Sequence, residues 1–113
     1  MCGKRAFGIK RLVRENDFRA SGSGHILYAR EEIDERCVRI AFDVNRKVRA
    51  QSLALDFVFD TGNHPLVVEL SYGYALAGYK DKCPGFWDEN LEWHDGFFDP
   101  QKWQIEDLIK ILE

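Results

Sequence analysis

"LALDFVFDTGNHPLVVELSYG", Leu53 to Gly73, is two apolar runs joined by a short polar segment, and each run carries an acid in its middle. Short apolar runs on either side of a glycine-containing turn read as an antiparallel hairpin. With TGNH, Thr61 to His64, as the loop, Asp60 is expected opposite Pro65, Val58 opposite Val67 and Asp56 opposite Glu69. The two acids then stand across from each other on one face. Like charges in that position destabilise a sheet, and burying either one unpaired costs more. A divalent cation between them resolves both problems, since carboxylate oxygens supplemented by phosphate oxygens are the usual ligands of Mg²⁺. Ser71 lies two residues past Glu69 on the same face and offers a third oxygen. The competing reading is a solvated face on which the acids serve solubility. A one-residue slip in register would also turn one acid to the other side.

The residues around the hairpin set its context. "EEIDERCVRIAFDVNRKVRA", Glu31 to Ala50, predicts an amphipathic helix with Ile33, Cys37, Ile40, Ala41, Val44 and Val48 at helical spacing. Its acids cluster at the start and Arg46, Lys47 and Arg49 at the end, which complements the helix dipole. Further upstream, Lys4 to Arg14 predicts a strand in which Phe7, Ile9 and Val13 share a face with Arg11. Glu15 to Gly24 is polar and glycine-rich, a loop or irregular strand, and His25 to Ala29 is a short strand. Downstream, Tyr74 to Phe98 is rich in aromatics, glycine and acids with little periodicity, and predicts a long connection packed down by its own side chains. From Asp99 the pattern is helical, with Asp99 as N-cap, Pro100 as first residue and Ile105, Leu108, Ile109 and Leu112 as the apolar stripe.

The bulk properties narrow the function classes. A chain of 113 residues supports one core. A formal net charge of −3 argues against a nucleic-acid partner. No apolar run reaches the roughly 20 residues of a membrane span, and no secretory leader is expected, which points to the cytoplasm. Cys2, Cys37 and Cys83 are odd in number and scattered, so they read as free thiols. Cys83, His94 and the nearby acids lack zinc-ligand spacing. His25 and His64 read as loop or strand-end residues. Phe86, Trp87, Trp93, Phe97, Phe98 and Trp103 read as core or lid packing rather than a base-stacking surface.

The opening stretch resembles the end of an ATP-grasp domain. In that family an Asp on one strand and a Glu on the next hold the Mg²⁺ ions that bridge the ATP phosphates, and an Asn follows the Glu by two. Asp56 matches the Asp and Glu69 the Glu, while Ser71 stands where Asn is usual. "FGIKR" followed by "NDFRASGSG" is similar to the arginine strand and glycine-rich segment of the peptide-ligase-like enzymes of the family. By that likeness Arg11 and Arg19 face phosphate, with Ala20, Ser21 and Gly22 as the adjoining backbone turn. "CPGFWDENLEWHDGFFDP" is similar to tails of bacterial members associated with cell-envelope or capsule polysaccharide synthesis.

The resemblance covers about Lys4 to Asp107. It implies an α+β fold: an antiparallel sheet with one long helix packed on it, and residues 74–113 as a wrapped tail ending in a helix. Together these would form the C-terminal half of an ATP-grasp fold. It implies ATP and Mg²⁺, or Mn²⁺, as cofactors, and a carboxylate substrate joined to an amine or thiol through an acyl phosphate. The subdomain that clasps the nucleotide has no counterpart before Lys4. The chain is therefore expected to be inactive alone and to self-associate through surface its missing half would cover. The alternative is a non-catalytic module derived from such a half, binding an anion or a partner.

Overall fold

The computed structural model describes residues 1–12, 25–76 and 79–113. Alternating apolar residues form the expected hairpin, β4 (Ala54–Phe59) and β5 (Pro65–Ser71), paired antiparallel. Asp56 is opposite Glu69, as counted, but Phe57 is opposite Val67, Val58 opposite Leu66 and Phe59 opposite Pro65. The expected Val58–Val67 and Asp60–Pro65 pairs are therefore displaced by one residue. Two offsets cause this, and they cancel at the acids. Val68 is an extra residue on β5, a bulge. The loop also begins one residue early, because the Asp60 Oδ1 accepts from the Gly62 and His64 backbone N–H groups at 2.9 and 2.8 Å. An Asp closing its own turn in this way, with Asn63 left-handed at φ 61°, is ordinary turn chemistry.

In its described part, Lys4 to Leu12, the strand predicted over Lys4–Arg14 is instead two short pieces, β1 (Arg5–Ala6) and β2 (Lys10–Arg11); Val13 and Arg14 lie outside the described residues. Among the described residues three small antiparallel sheets replace the single sheet expected. β2 pairs with β3 (Ile26–Leu27), β4 pairs with β5, and β1 joins β6 (Gly85–Asp88), which pairs in turn with β7 (Trp93–Asp95). Burial explains the break. Ala6 is in the core, Phe7 and Ile9 enter a second apolar cluster, and Lys10 and Arg11 are exposed. Gly8 permits the passage, since a Cβ there would lie 3.3 Å from Ile33 Cγ2. The fold is thus α+β with small antiparallel sheets and two helices.

The first helix, α1, runs Glu35–Val48, shorter than Glu31–Ala50, with a 3₁₀ turn at Arg30–Glu32 before it. Asp34 sets the start as N-cap, its carboxylate accepting from Arg36 N. Arg49, left-handed at φ 59°, ends it. The buried residues are Val38, Ala41 and Phe42; of the predicted stripe, Ala41 is among them, Ile33 and Val44 pack against the core, Cys37 and Ile40 are half-buried, and Val48 is exposed. The buried three join Met1, Ala6, Leu53 and Trp87 in the main core, with Leu55 and Trp93 packed against it. Trp87, 1% exposed, donates its indole N–H to Glu35. The second cluster holds Cys2, Cys83, Phe98 and Trp103.

The second helix, α2 (Pro100–Leu112), starts as predicted, with the Asp99 carboxylate accepting from Gln101 N. Its inward face is Pro100 and Trp103. The Arg5 guanidinium lies 5.0 Å over the Trp103 ring and 3.6 Å from Glu106, tying β1 to α2. The predicted stripe, Ile105, Leu108, Ile109 and Leu112, is exposed instead. A single indole buried among Phe7, Phe86 and Phe98 outweighs the aliphatic stripe in choosing the face.

Candidate functional site

Strand alternation separates the two faces of the β4–β5 hairpin. Leu55 packs on the main core, and Phe57 and Phe59 share its face. Arg36, near the start of α1, sits over the Phe59 ring at 5.8 Å and donates to the Asn63 carbonyl at 2.9 Å. That arginine is held in turn by the Asp34 carboxylate at 2.8 Å, so α1 grips the hairpin near its tip. Asp56 and Glu69 project from the opposite face, and both are exposed.

The acids are therefore neither buried nor neutralised by the core. Among the described residues neither takes part in an ion pair. Ser71 is two pairs further along, opposite Ala54. Its hydroxyl donates to the Gly73 carbonyl at 2.6 Å, and its oxygen lies 3.3 Å from Gly73 N. The serine oxygen is half committed to its own turn and is the weakest of the three expected donors. The set is all oxygen and faces solvent. That suits a hard cation whose remaining ligands are phosphate and water, and does not suit zinc.

Arg11 lies on β2, exposed, paired across from Ile26. Burial pushes the Tyr79 phenol above its ordinary value, Arg11 draws it back down, and Asp56 raises it. One side chain thus lies in electrostatic reach of both the arginine and the acid. Tyr79 packs edge-on against Phe7 at 5.6 Å and Tyr74 at 6.1 Å. Sequence reasoning did not single it out, since nothing in its local pattern marks it. Arg19, Ala20, Ser21 and Gly22 lie outside the described residues.

A second cluster gathers His94 and two of the acids near it, which in the sequence lack zinc-ligand spacing. Ligand atoms of Asp88, Glu92 and His94 lie within 4.8 Å of one another. The Asp88 Oδ1 accepts from Asn90 N at 2.9 Å and Glu92 N at 3.1 Å, and Oδ2 is 2.8 Å from His94 Nε2. The His94 hydrogen bond is the main reason the Asp88 carboxyl lies below its usual range. His94 stacks on Phe86 at 5.0 Å. These bonds close the β6–β7 turn. Cys83 is not with them: it is buried, its thiol points to the Gly8 carbonyl at 3.7 Å, and burial pushes it up to about 11. Burial also raises the Cys37 thiol to about 11. Neither is an activated nucleophile.

No family model, curated protein or solved structure matches the chain. Among the described residues no helix is long and apolar enough to cross a membrane.

Proposed function

We propose that this chain supplies the Mg·ATP-phosphate face of an ATP-dependent carboxylate–amine or carboxylate–thiol ligase of the ATP-grasp kind, working in the cytoplasm. The observation that carries the reading is the direct opposition of Asp56 and Glu69 on the hairpin face turned away from the core. What supports the reading is that a cation brought with a ligand would meet both carboxylates on this exposed face, where among the described residues neither has an ion-pair partner. In this reading Asp56 and Glu69 hold Mg²⁺, or Mn²⁺, and Ser71 assists. Arg11 and Arg19 neutralise phosphate charge beside the Ser21–Gly22 backbone. When bound, the metal neutralises the phosphate oxygens through which the carboxylate is activated as an acyl phosphate, with release of ADP. Elements that clasp the nucleotide come from outside these 113 residues, so the isolated chain is inactive.

A second reading, a partner-binding module, is favoured by one observation: Val58, Leu66, Val68 and Leu70 on the hairpin and the α2 stripe are all exposed. Paramagnetic broadening by Mn²⁺ separates the two. The ligase reading expects weak, selective broadening of Asp56 and Glu69 resonances, abolished by Asp56→Asn. Broadening confined to Asp88, Glu92 and His94, or ATP turnover by the isolated chain that Asp56→Ala removes, would overturn it in its metal assignment or in its expectation of inactivity respectively.

A further inference from the structure

The α2 helix carries Ile105, Leu108, Ile109 and Leu112 at the i, i+3, i+4, i+7 spacing of a packing stripe, and the core does not use it. Trp103, which the core does use, is two residues from Ile105, roughly 200° around the helix. The stripe therefore points away from the molecule. Its residues, with Ile111, are 49–79% exposed. They offer on the order of 500 Å² of apolar surface, near the upper end of what a monomer leaves open.

We propose that α2 is the contact face of an antiparallel, two-fold dimer, and that its occupant is α2 of a second copy. Two observations choose that occupant, and a third sets how tightly it is held. The stripe is its own complement: about a two-fold axis between Leu108 and Ile109, Ile105 meets Leu112 of the second copy and Leu108 meets Ile109, so every stripe residue is covered. The rim is also self-complementary. Lys102 and Glu113 border the same side of the stripe at opposite ends, so an antiparallel pair brings each Lys102 beside Glu113 of the other copy, twice per dimer. Lys102 is three-quarters exposed, and its contact with Glu106 within the chain is long, at 4.0 Å, which leaves it able to turn outward. Finally, the apolar area falls below the roughly 800 Å² per partner of a standard interface. The dimer is accordingly weak and exchanges readily, with a micromolar dissociation constant. This face is separate from the acids of the proposed ligase site, so either reading stands if the other fails.

Sedimentation equilibrium of the 113-residue chain tests this over a roughly hundredfold range in the micromolar regime. The mass should rise from one copy towards two. Leu108→Glu should hold it at one copy with an unchanged melting temperature, and Asp56→Asn should leave the association as it was. Lys102→Glu should weaken association several-fold, and adding Glu113→Lys should restore it. If Leu108→Glu lowers the melting temperature, the exposed charge pair decides alone. A single-copy mass throughout gives the face to a different partner and overturns the proposal. So does a dimer that Leu108→Glu leaves intact, or a double charge variant that fails to restore it.

Discussion

Asp56 and Glu69 are opposed but exposed, so water screens most of their repulsion in the absence of metal. Removing one charge deletes a like-charge pair and no described bond. Asp56→Asn and Glu69→Gln should each leave the metal-free chain unchanged or steadier by about 0.5 kcal/mol, read by thermal unfolding. A loss of several kcal/mol in both would make the acids structural. Cys83 gives a different test. Its thiol ionises near 9.0 when unfolded and about 11 when folded. The fold thus favours the neutral thiol; this stability is fully present below pH 9 and is lost as pH rises through 11. The limiting size is on the order of 2 to 3 kcal/mol. Cys37, Tyr74 and Tyr79 are shifted in the same direction, so the measurement is a difference. Cys83→Ala should lose stability less steeply than the parent between pH 9 and 11 in urea titrations, and parallel curves would contradict it. At this scale the strands and their turn were legible from alternation, but the acid pair came out as counted only because the early start of the loop and an extra residue on β5 cancel there. The bulge at Val68 was not legible, since an extra strand residue leaves no mark in a hydrophobic pattern.

The elements were legible where a local signal starts them. Asp99–Pro100 announces α2, and the structure begins it there. Asp34 is equally a cap, yet the acids and apolar residues before it matched the helical pattern closely enough to extend the prediction back to Glu31. Which face a helix buries was harder to read, because it depends on what the rest of the chain presents. In α2 the aromatic cluster takes Trp103, and in α1 the core takes Val38 and Phe42. The β6 and β7 strands were hidden for another reason: each is short, and aromatic residues on both faces erase the alternation. The Asp34 cap carries the prediction at this scale. Asp34→Ala removes the acceptor of Arg36 N and the carboxylate that holds the Arg36 guanidinium. It should cost about 1 kcal/mol by chemical denaturation. It should also loosen the hairpin tip, seen as a shift of the Asn63 and Phe59 resonances that Arg36 touches. A tip unmoved by the change would mean Arg36 reaches Asn63 without help from Asp34.

Across the whole molecule, whose extents are 53 by 28 by 24 Å, the hairpin begins at a base where residues 51–53 meet the first residues of the chain. That base is firmly joined. The Met1 amine donates to the Leu53 carbonyl at 2.7 Å, Leu53 N to the Met1 carbonyl at 3.0 Å, and Gly3 N to the Gln51 carbonyl at 2.9 Å. Ser52 and Tyr74 close the same junction with a 2.9 Å hydroxyl contact. Along β4 burial declines from Leu55 towards the tip, where Val58 and Phe59 are 44–47% exposed, whereas β5 is exposed from Leu66 to Leu70. Protection from hydrogen exchange follows burial and packing, since lightly packed strands open without unfolding the rest. A gradient is therefore expected. Ladder amides near Leu55 should exchange close to the rate of Trp87, and those near Val58 and Phe59 much faster, at protein concentrations too low for association. The Arg36 latch opposes the gradient at one point, so Arg36→Ala should speed exchange at the tip by several-fold and leave Trp87 unaffected. Uniform protection along the hairpin would show that the strands and the core open as one unit, and that the latch adds nothing to a ladder already stable by itself.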